Sequence, residues 1–479
     1  PMSEFSQLFS DYVHAKDIKI YSMAAYCGMD RSTMYKILRG KRTPSSEEMV
    51  KKIAGFMQLT PLEQNSLLES FRITVTGRSN YYRRKDVFHF LSTFTSEPDP
   101  LIPRQTGASP MDFSESVVPL CGESHISGVL LNIAALEAQT ENGYIRMLVQ
   151  PDFTSFFEQL NHIILKKDAL TIEHIMCFNN NPEIPNSKRD YNLHCLKSIL
   201  PLYTAGCRYH PYYYYDNIIS RLDSFHLFPY MMLTSQYAVT FSEDMSNGIL
   251  YSRKDILDFL SEIYSAYLEQ APPMLRGMGD VFGQLNYIQS LCSELKTPEY
   301  SFQMIPCLTP FFTRELVTRC LSHHIPERDR FIDLFCHYAS ERYRSFAATY
   351  PVFICSEDGI RHFLETGRME EYPYDIYSPP EMSDRIFMIT RLLESLDTIR
   401  LRLLRENIGN VTHGISVYVN SNAGYIQFSL SDGTIVYLDI EESSLLNTFR
   451  DFFENMDDSL FYSEKEIPER LRMLIKEFS

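Results

Sequence analysis

Guanidinium, ammonium and hydroxyl donors crowd one short stretch of this 479-residue chain: Arg31, Ser32, Thr33, Tyr35, Lys36, Arg39, Lys41 and Arg42. Met34, Ile37 and Leu38 fall on one face of a helix there. At ~100° per residue, Ser32, Lys36 and Arg39 then point away from that face, flanked by Thr33 and Tyr35. Outward cations and hydroxyls suit the recognition of anions and hydrogen-bond acceptors. They do not make a nucleophile–base pair or a metal-ligand set.

Elsewhere the residues able to do chemistry do not assemble. Cys320-Leu-Ser-His323-His324 and Cys207-Arg-Tyr-His210 place metal-ligand types close together. Neither has a second matched pair at finger spacing, so both read as packing and surface residues. No H-E-x-x-H, G-x-S-x-G, Walker A or Rossmann glycine pattern occurs. His210-Pro-Tyr-Tyr-Tyr-Tyr-Asp216 reads as the lining of a small-molecule pocket, as a partner surface, or as a half-buried strand. Tyrosine is a good strand former, which favours the last. No catalytic residue, metal site or cofactor is assigned, and the chain is not read as an enzyme.

The outward face needs a scaffold, and Ser22–Pro44 supplies it. Ser22 is placed to cap one helix and Gly28 to close it in a left-handed conformation. Asp30 caps the next helix, and Gly40 ends it before Lys41-Arg42. Two helices around a short glycine-containing turn are a helix-turn-helix. Phe5, Leu8, Phe9, Tyr12 and Val13 mark an amphipathic helix upstream. Ile20, Met23, Ala24 and Cys27 continue its core, with Ala24 small where the two motif helices approach. Ser45-Ser-Glu-Glu48 reads as a capping box opening a fourth helix, with Met49, Ile53 and Phe56 inward. Thr60-Pro61-Leu-Glu63 adds Pro at the first helical position to a capping box and opens a fifth. A compact all-α domain over residues 1–77 follows.

About residues 5–72 resemble the XRE family, the Cro- and lambda-repressor-like helix-turn-helix domains of bacterial and phage regulators. The family pattern appears as Met23-Ala24, Gly28, Thr33, Met34, Ile37, Gly40 and Lys41. Asp30 replaces the serine usual after the turn, and Leu38 stands where many members have glutamate. The resemblance implies docking in the major groove, with base contacts from the N-terminal half of the recognition helix. Carried over position by position, it assigns base contacts to Arg31, Ser32, Thr33, Tyr35 and Lys36. There Arg or Lys reads guanine O6/N7 and Ser pairs with either base type. Arg39, Lys41 and Arg42 fall to phosphates, which set register rather than sequence. Without the motif, the same residues are a solvated basic face; an outward basic third helix on a helix-turn-helix favours nucleic acid.

Charge separates this module from the rest. Residues 1–85 carry 14 Lys+Arg against 8 Asp+Glu, or +6, and the remainder 31 against 53, or −22, together the net −16. An acidic body repels phosphate, which localises a nucleic-acid surface to the N-terminus. Forty-four per cent apolar and 22% charged residues describe an ordinary globular chain. The longest apolar run, Ile126–Leu136, is well short of the ~20 residues that span a bilayer. Ten dispersed cysteines form no C-x-x-C. With no signal peptide read, they fit reduced thiols and a cytoplasmic location without membrane association. Pro1 before Met2 is read as an artificial remnant and left out of the fold.

Beyond residue 77 the pattern turns α+β, giving a multidomain chain with a large α/β body. Residues 78–110 read as a basic stretch (Arg78, Arg83, Arg84, Lys85 with Tyr81 and Tyr82), a short helix at Val87–Phe94 and a linker marked by Pro98, Pro100, Pro103 and Pro110. Residues 111–272 and 273–479 read as two α/β halves. In the first, Tyr144–Val149 and Leu170–Phe178 are strands with a helix over Thr154–Leu165 between them. Phe228–Phe241 is a strand pair, followed by an Asn247-Gly248 turn, the strand Ile249–Tyr251, and a helix capped by Ser252 with Ile256, Phe259, Leu260 and Ile263 on one face. In the second, Ser301–Ile305, Ile415–Val419, Tyr425–Leu430, an Asp432-Gly433 turn and Thr434–Leu438 lead into a helix with Leu445, Leu446, Phe449, Phe452 and Phe453. The repetition reads as an internal duplication of about 160–190 residues per copy, and an interface between two such halves is a common ligand site.

A duplicated body of this kind is similar to the phospholipase D-like fold, whose active members carry H-x-K-x4-D in each half. The one H-x-K here, His14-Ala15-Lys16, lies in the N-terminal module with Tyr21 at the aspartate position. The late hairpins contain neither His nor Lys, so the phosphodiesterase chemistry is not expected.

The sequence thus points to a DNA-binding transcriptional regulator, with double-stranded DNA as partner, a homodimer as the working form, and an α/β sensor and oligomerisation region. An unidentified small-molecule or peptide effector is a further expected partner. Two alternatives stand beside it: an enzyme with an unrecognised active site in the body, and a protein-interaction module of antitoxin or defence type.

Overall fold

The computed structural model describes residues 2–97, 115–165, 167, 169–180, 190–216, 227–277, 281–293, 297–431 and 433–479. It divides into two units, Pro1–Asp86 with Pro182–Asp190, and Val87–Asn181 with Tyr191–Ser479. The linker prolines Pro98, Pro100, Pro103 and Pro110, and Asp432 of the expected turn, lie outside the described residues.

The first unit is helical: α1 Glu4–Ala15, α2 Ile20–Tyr26, α3 Arg31–Leu38, α4 Glu47–Phe56 and α5 Pro61–Thr76. Phe5, Phe9, Met23, Met34, Val50, Ile53 and Leu67 are buried together as its core. Thr60 and Glu63 form the expected capping box at α5, with Pro61 at the first helical position. Two other caps fall elsewhere. Ser22 lies inside α2, which starts at Ile20 so that Ile20 joins the core; Lys19 occupies the cap position and makes no side-chain cap. At α4 the cap is Ser46 rather than Ser45, accepting from the Met49 amide, which puts Glu47 and Glu48 in the first turn. A sixth helix, α6 Arg78–Thr93, runs continuously through the expected basic stretch and short helix. The boundary between the units falls within it.

Among the described residues, the second unit holds two seven-stranded mixed sheets. The first half runs β1 Val117–Cys121, α7 Glu123–Glu137, β2 Tyr144–Leu148, α8 Thr154–Ile164, β3 Thr171–Asn179, α9 Tyr191–Thr204, β4 Arg208–Asp216, β5 Tyr230–Leu233, β6 Ala238–Phe241, β7 Asn247–Tyr251 and α10 Lys254–Leu268. The second runs β8 Leu275–Gly277, α11 Val281–Ser293, β9 Tyr300–Phe302, α12 Arg314–Cys320, α13 Arg328–Thr349, β10 Val352–Ser356, α14 Glu357–Thr366, α15 Met382–Glu394, β11 Arg400–Leu404, β12 Ser416–Val419, β13 Gly424–Ser429, β14 Ile435–Ile440, α16 Ser443–Glu454 and α17 Ile467–Phe478.

The two sheets repeat one plan. The first is ordered β4-β3-β2-β5-β6-β7-β1 and the second β11-β10-β9-β12-β13-β14-β8. In each, the first three strands so written are parallel and every later neighbour is antiparallel. Parallel strands need helical crossovers and antiparallel ones need only turns, so the helices cluster early in each half and the hairpins late. The duplication is therefore present in strand order and strand sense, not only in hydrophobic pattern.

The halves share one core. Met176, Phe178, Leu196 and Ile199 of the first are buried in the same cluster as Phe302, Phe428, Phe449 and Phe453 of the second. Polar contacts accompany it: Asn192 donates to the Ser444 hydroxyl at 2.9 Å, and the Tyr215 hydroxyl meets the Glu442 carboxylate. The open edge of β4 is partly covered by the chain entering β8, through Tyr213 N to Pro272 O at 3.1 Å and Met274 N to Pro211 O at 3.0 Å.

Three expected features of the first half differ. Asn247 and Gly248 belong to β7 rather than to a turn, which comes earlier, at Ser242–Ser246, with Met245 at φ 53°. Ser252 does not cap α10; Arg253 holds that position and pairs with Asp255. The helix also presents a different face. Leu257 and Tyr264 are buried, with the Tyr264 hydroxyl 2.9 Å from the Glu173 carbonyl, while Phe259 is 61% exposed.

Candidate nucleic-acid interface

The outward helix is held from both ends. At its start, Asp30 Oδ1 accepts from the Thr33 amide at 2.8 Å and Oδ2 from the Thr33 hydroxyl at 2.6 Å. These hydrogen bonds, the hydroxyl first, hold the Asp30 carboxyl below the usual carboxylate range. Gly28, before the cap, takes the left-handed φ of 69° that the turn from α2 needs.

At the other end Gly40 has φ 71°, and the Lys41 amide returns to the Lys36 carbonyl at 2.8 Å. This closure sets Lys41 and Arg42 beside the carbonyl end of α3, where positive charge is favoured. A side chain at Gly40 would also crowd Ser6 Oγ, 3.3 Å from an added Cβ. That hydroxyl in turn donates to the Ile37 carbonyl at 3.0 Å and ties α3 to α1.

Met34 and Ile37 are buried, which fixes the rotation of α3. Arg31, Ser32, Lys36, Arg39, Lys41 and Arg42 are exposed, and Thr33 and Tyr35 half-buried. Tyr35 lies between two cations, its ring centroid 5.4 Å from the Arg31 guanidinium and 5.7 Å from that of Arg39. Ring and cations at i, i+4 and i+8 thus form one stripe, beside Ser32 and Lys36. Thr33 differs from the others because its hydroxyl hydrogen is spent on the cap.

The cations of this face are clustered and, among the described residues, lack counter-charges. Several other basic residues in the unit meet carboxylates: Lys16 with Glu63 at 3.2 Å, Arg72 with Glu47 at 2.6 Å, Lys85 with Glu69 at 2.9 Å, and Arg78 with Glu4. Among the described residues, Arg31, Lys36, Arg39, Lys41 and Arg42 form no such pair. Five neighbouring cations without counter-charges make a local positive field suited to a polyanion.

The remaining chemistry-bearing residues stay apart. Cys320 is buried while His323 and His324 are exposed, and His210 is exposed on β4. No group of three or more His, Cys, Asp or Glu among the described residues is placed to hold a metal ion. The four tyrosines after Pro211 belong to strand β4, paired along its length with β3. His14 lies in the last turn of α1 and Lys16 at its C-cap, in the helical unit and not in either sheet. The hairpins β5–β6 and β12–β13 contain neither His nor Lys. Among the described residues no helix is long and apolar enough to cross a membrane.

No family model matches the chain, and no curated protein does. Among solved structures it is similar to TrmBL2, described as an archaeal chromatin protein with a novel mode of DNA binding. That likeness has 11% identity and a TM-score of 0.23, over 56% of this chain and 99% of that one. It is also similar to the polyphosphate kinase of Porphyromonas gingivalis, at 11% identity and a TM-score of 0.22, over 79% of this chain and 61% of that one. Neither is close enough to carry an argument. The XRE resemblance rests on its motif residues alone.

Proposed function

We propose that this protein is a sequence-specific regulator that binds double-stranded DNA through α3, working as a homodimer. The observation that carries the reading is the unpaired basic face on a capped, outward third helix of a helix-turn-helix. Arg31 and Ser32 lie in the first turn of α3 and Lys36 in its last; all three are assigned to base edges, with Thr33 and Tyr35 beside them. Arg39, Lys41 and Arg42 are assigned to phosphates. One such module buries little surface, and two half-sites a helical turn apart multiply affinity and specificity.

In this reading the duplicated body senses and oligomerises rather than catalyses. A ligand that prefers one arrangement of the body shifts operator affinity by its differential affinity for the two arrangements. The test is binding of the full chain to DNA upstream of its own gene, by fluorescence anisotropy across a salt series. Specific binding that weakens steeply with salt supports the reading. A folded chain that binds no DNA, or binds it with no salt dependence, overturns it.

A further inference from the structure

In the second half, α11, α12, α13 and the 371–377 segment line a partly open pocket whose empty space, about 600 Å³, includes open solvent. Its walls are apolar and aromatic, with Leu285, Phe312, Phe331, Phe335, Tyr372 and Tyr437 among them. Three rings meet one another there: Phe312 and Phe335 at 5.4 Å between centroids, Phe312 and Tyr372 at 6.1 Å, Phe335 and Tyr372 at 6.0 Å. The charged member of the lining is Glu371; no Lys, Arg or His among the described residues belongs to it.

The Glu371 carboxylate is held by neutral donors, Thr309 Oγ1 at 2.9 Å and Gln303 Nε2 at 3.4 Å. Burial pushes this carboxyl above its ordinary range, against those hydrogen bonds. Its neighbour Glu370 lines an adjoining polar hollow with Gln303, Asn410 and Ser416. One Glu370 oxygen accepts from the Ser429 hydroxyl at 2.7 Å, and the other is buried with no hydrogen-bond partner. Glu299 in the same half, by contrast, is met by Arg342. One carboxylate, Glu371, at an aromatic pocket whose lining holds no Lys, Arg or His among the described residues, leaves an unmatched negative group there.

We propose that this pocket binds a lipophilic cation, an aromatic or alkyl amine or quaternary ammonium, whose charge faces Glu371 and whose apolar body lies against the Phe312, Phe335 and Tyr372 rings. Aromatic faces attract such cations, and the attraction grows as the site is desolvated. An anionic ligand finds no counter-charge on these walls. That the cation regulates operator binding rests on the DNA-binding reading above; that it binds does not.

The test is calorimetry on the full chain with benzyltrimethylammonium, its uncharged carbon isostere neopentylbenzene, and benzenesulfonate. The cation is expected to bind, the isostere about tenfold or more weakly, and the sulfonate not at all. Glu371→Gln, close in shape, is expected to reduce cation affinity by about tenfold or more and to leave the isostere unchanged. Leu285→Trp, which fills the pocket, is expected to block both; a melting curve for each variant reports folding. No binding by the wild-type chain, or equal binding of the cation to wild type and Glu371→Gln, overturns the site. Anisotropy on upstream DNA then reads the regulatory arm. A shift in DNA affinity with the cation, absent in Glu371→Gln, supports it, and bound cation with unchanged DNA affinity overturns it. Absence of any DNA binding removes the regulatory reading while the calorimetry still decides the site.

Discussion

Glu299 and Arg342 form an ion pair almost wholly out of solvent, their side chains 4% and 6% exposed. Glu299 stands just before β9, and its carbonyl also accepts from Val352, the first residue of β10. Arg342 reaches it from α13 by two guanidinium nitrogens, one at 3.1 Å. The pair thus ties a long helix to the start of two central strands. Removing one partner leaves a buried charge unmatched, which costs about 3–5 kcal/mol. Arg342→Met is therefore expected to lower the denaturation midpoint of the body strongly, and adding Glu299→Leu to recover much of the loss. A double variant no more stable than Arg342→Met would show that the cost is packing and not charge.

His174 predicts a specific acid sensitivity. Its ring is fully buried, stacked on Phe157 with centroids 5.5 Å apart. Nε2 lies 2.7 Å from the Val149 carbonyl, which only accepts, so Nε2 carries the proton and Nδ1 accepts from the Tyr209 hydroxyl at 2.8 Å. Burial pushes the pKa down from 6.5 to about 4. The unfolded chain then binds a proton in that window while the folded one does not. Stability from this group is complete above pH 6.5 and is lost as pH falls toward 4, by about 3 kcal/mol in all. In His174→Gln this part of the profile is expected to flatten, measured by urea unfolding at several pH values. Parallel profiles for variant and wild type would refute the assignment.

The Asp30 cap links helix stability to DNA binding. Asp30→Ala leaves the Thr33 amide and hydroxyl without their shared acceptor, so α3 frays at the end that holds Arg31 and Ser32. DNA affinity and the melting temperature of the N-terminal unit are expected to fall together. Asp30→Ser, which still offers an oxygen to the amide, is expected to retain most of both. Because the carboxyl sits below its ordinary range, its contribution is present above the unfolded value of 3.8 and fades as pH falls below it. Circular dichroism melts paired with anisotropy check this; full affinity in a destabilised Asp30→Ala would separate the cap from recognition.

What could be read in advance follows from how local each determinant is. The face of α3 was legible because Met34 and Ile37 alone set its rotation, and Thr60-Pro61-Leu-Glu63 because a capping box is a local hydrogen-bond pair. The α10 face was not legible. Ile256, Phe259 and Ile263 fit a helical stripe as well as Leu257, Leu260 and Tyr264, and only the sheet beneath, through contacts such as Tyr264 to Glu173, chooses between them. Strand β8 has three residues and no apolar run, so its place beside β14 comes from pairing alone. The Glu371 pocket draws on residues from 284 to 437, whose meeting no spacing announces.

Lys36, on α3, and Arg42, just past its end, are both exposed cations, and they are expected to fail in different ways. Lys36 projects from the middle of the outward face beside Tyr35, where a base edge would lie. Arg42 follows the Gly40 closure, its amide 3.2 Å from the Lys36 carbonyl, at the end of the helix where a phosphate would lie. Lys36→Ala is expected to cost about 1–3 kcal/mol on the specific site and to relax sequence preference at one position. Arg42→Ala is expected to weaken all sequences alike and to flatten the slope of log affinity against log salt by about one unit. Anisotropy on the upstream site and on a scrambled duplex, each across salt, separates the two. If Arg42→Ala altered preference while Lys36→Ala changed only the slope, the helix would be docked in the opposite sense to the one assigned here.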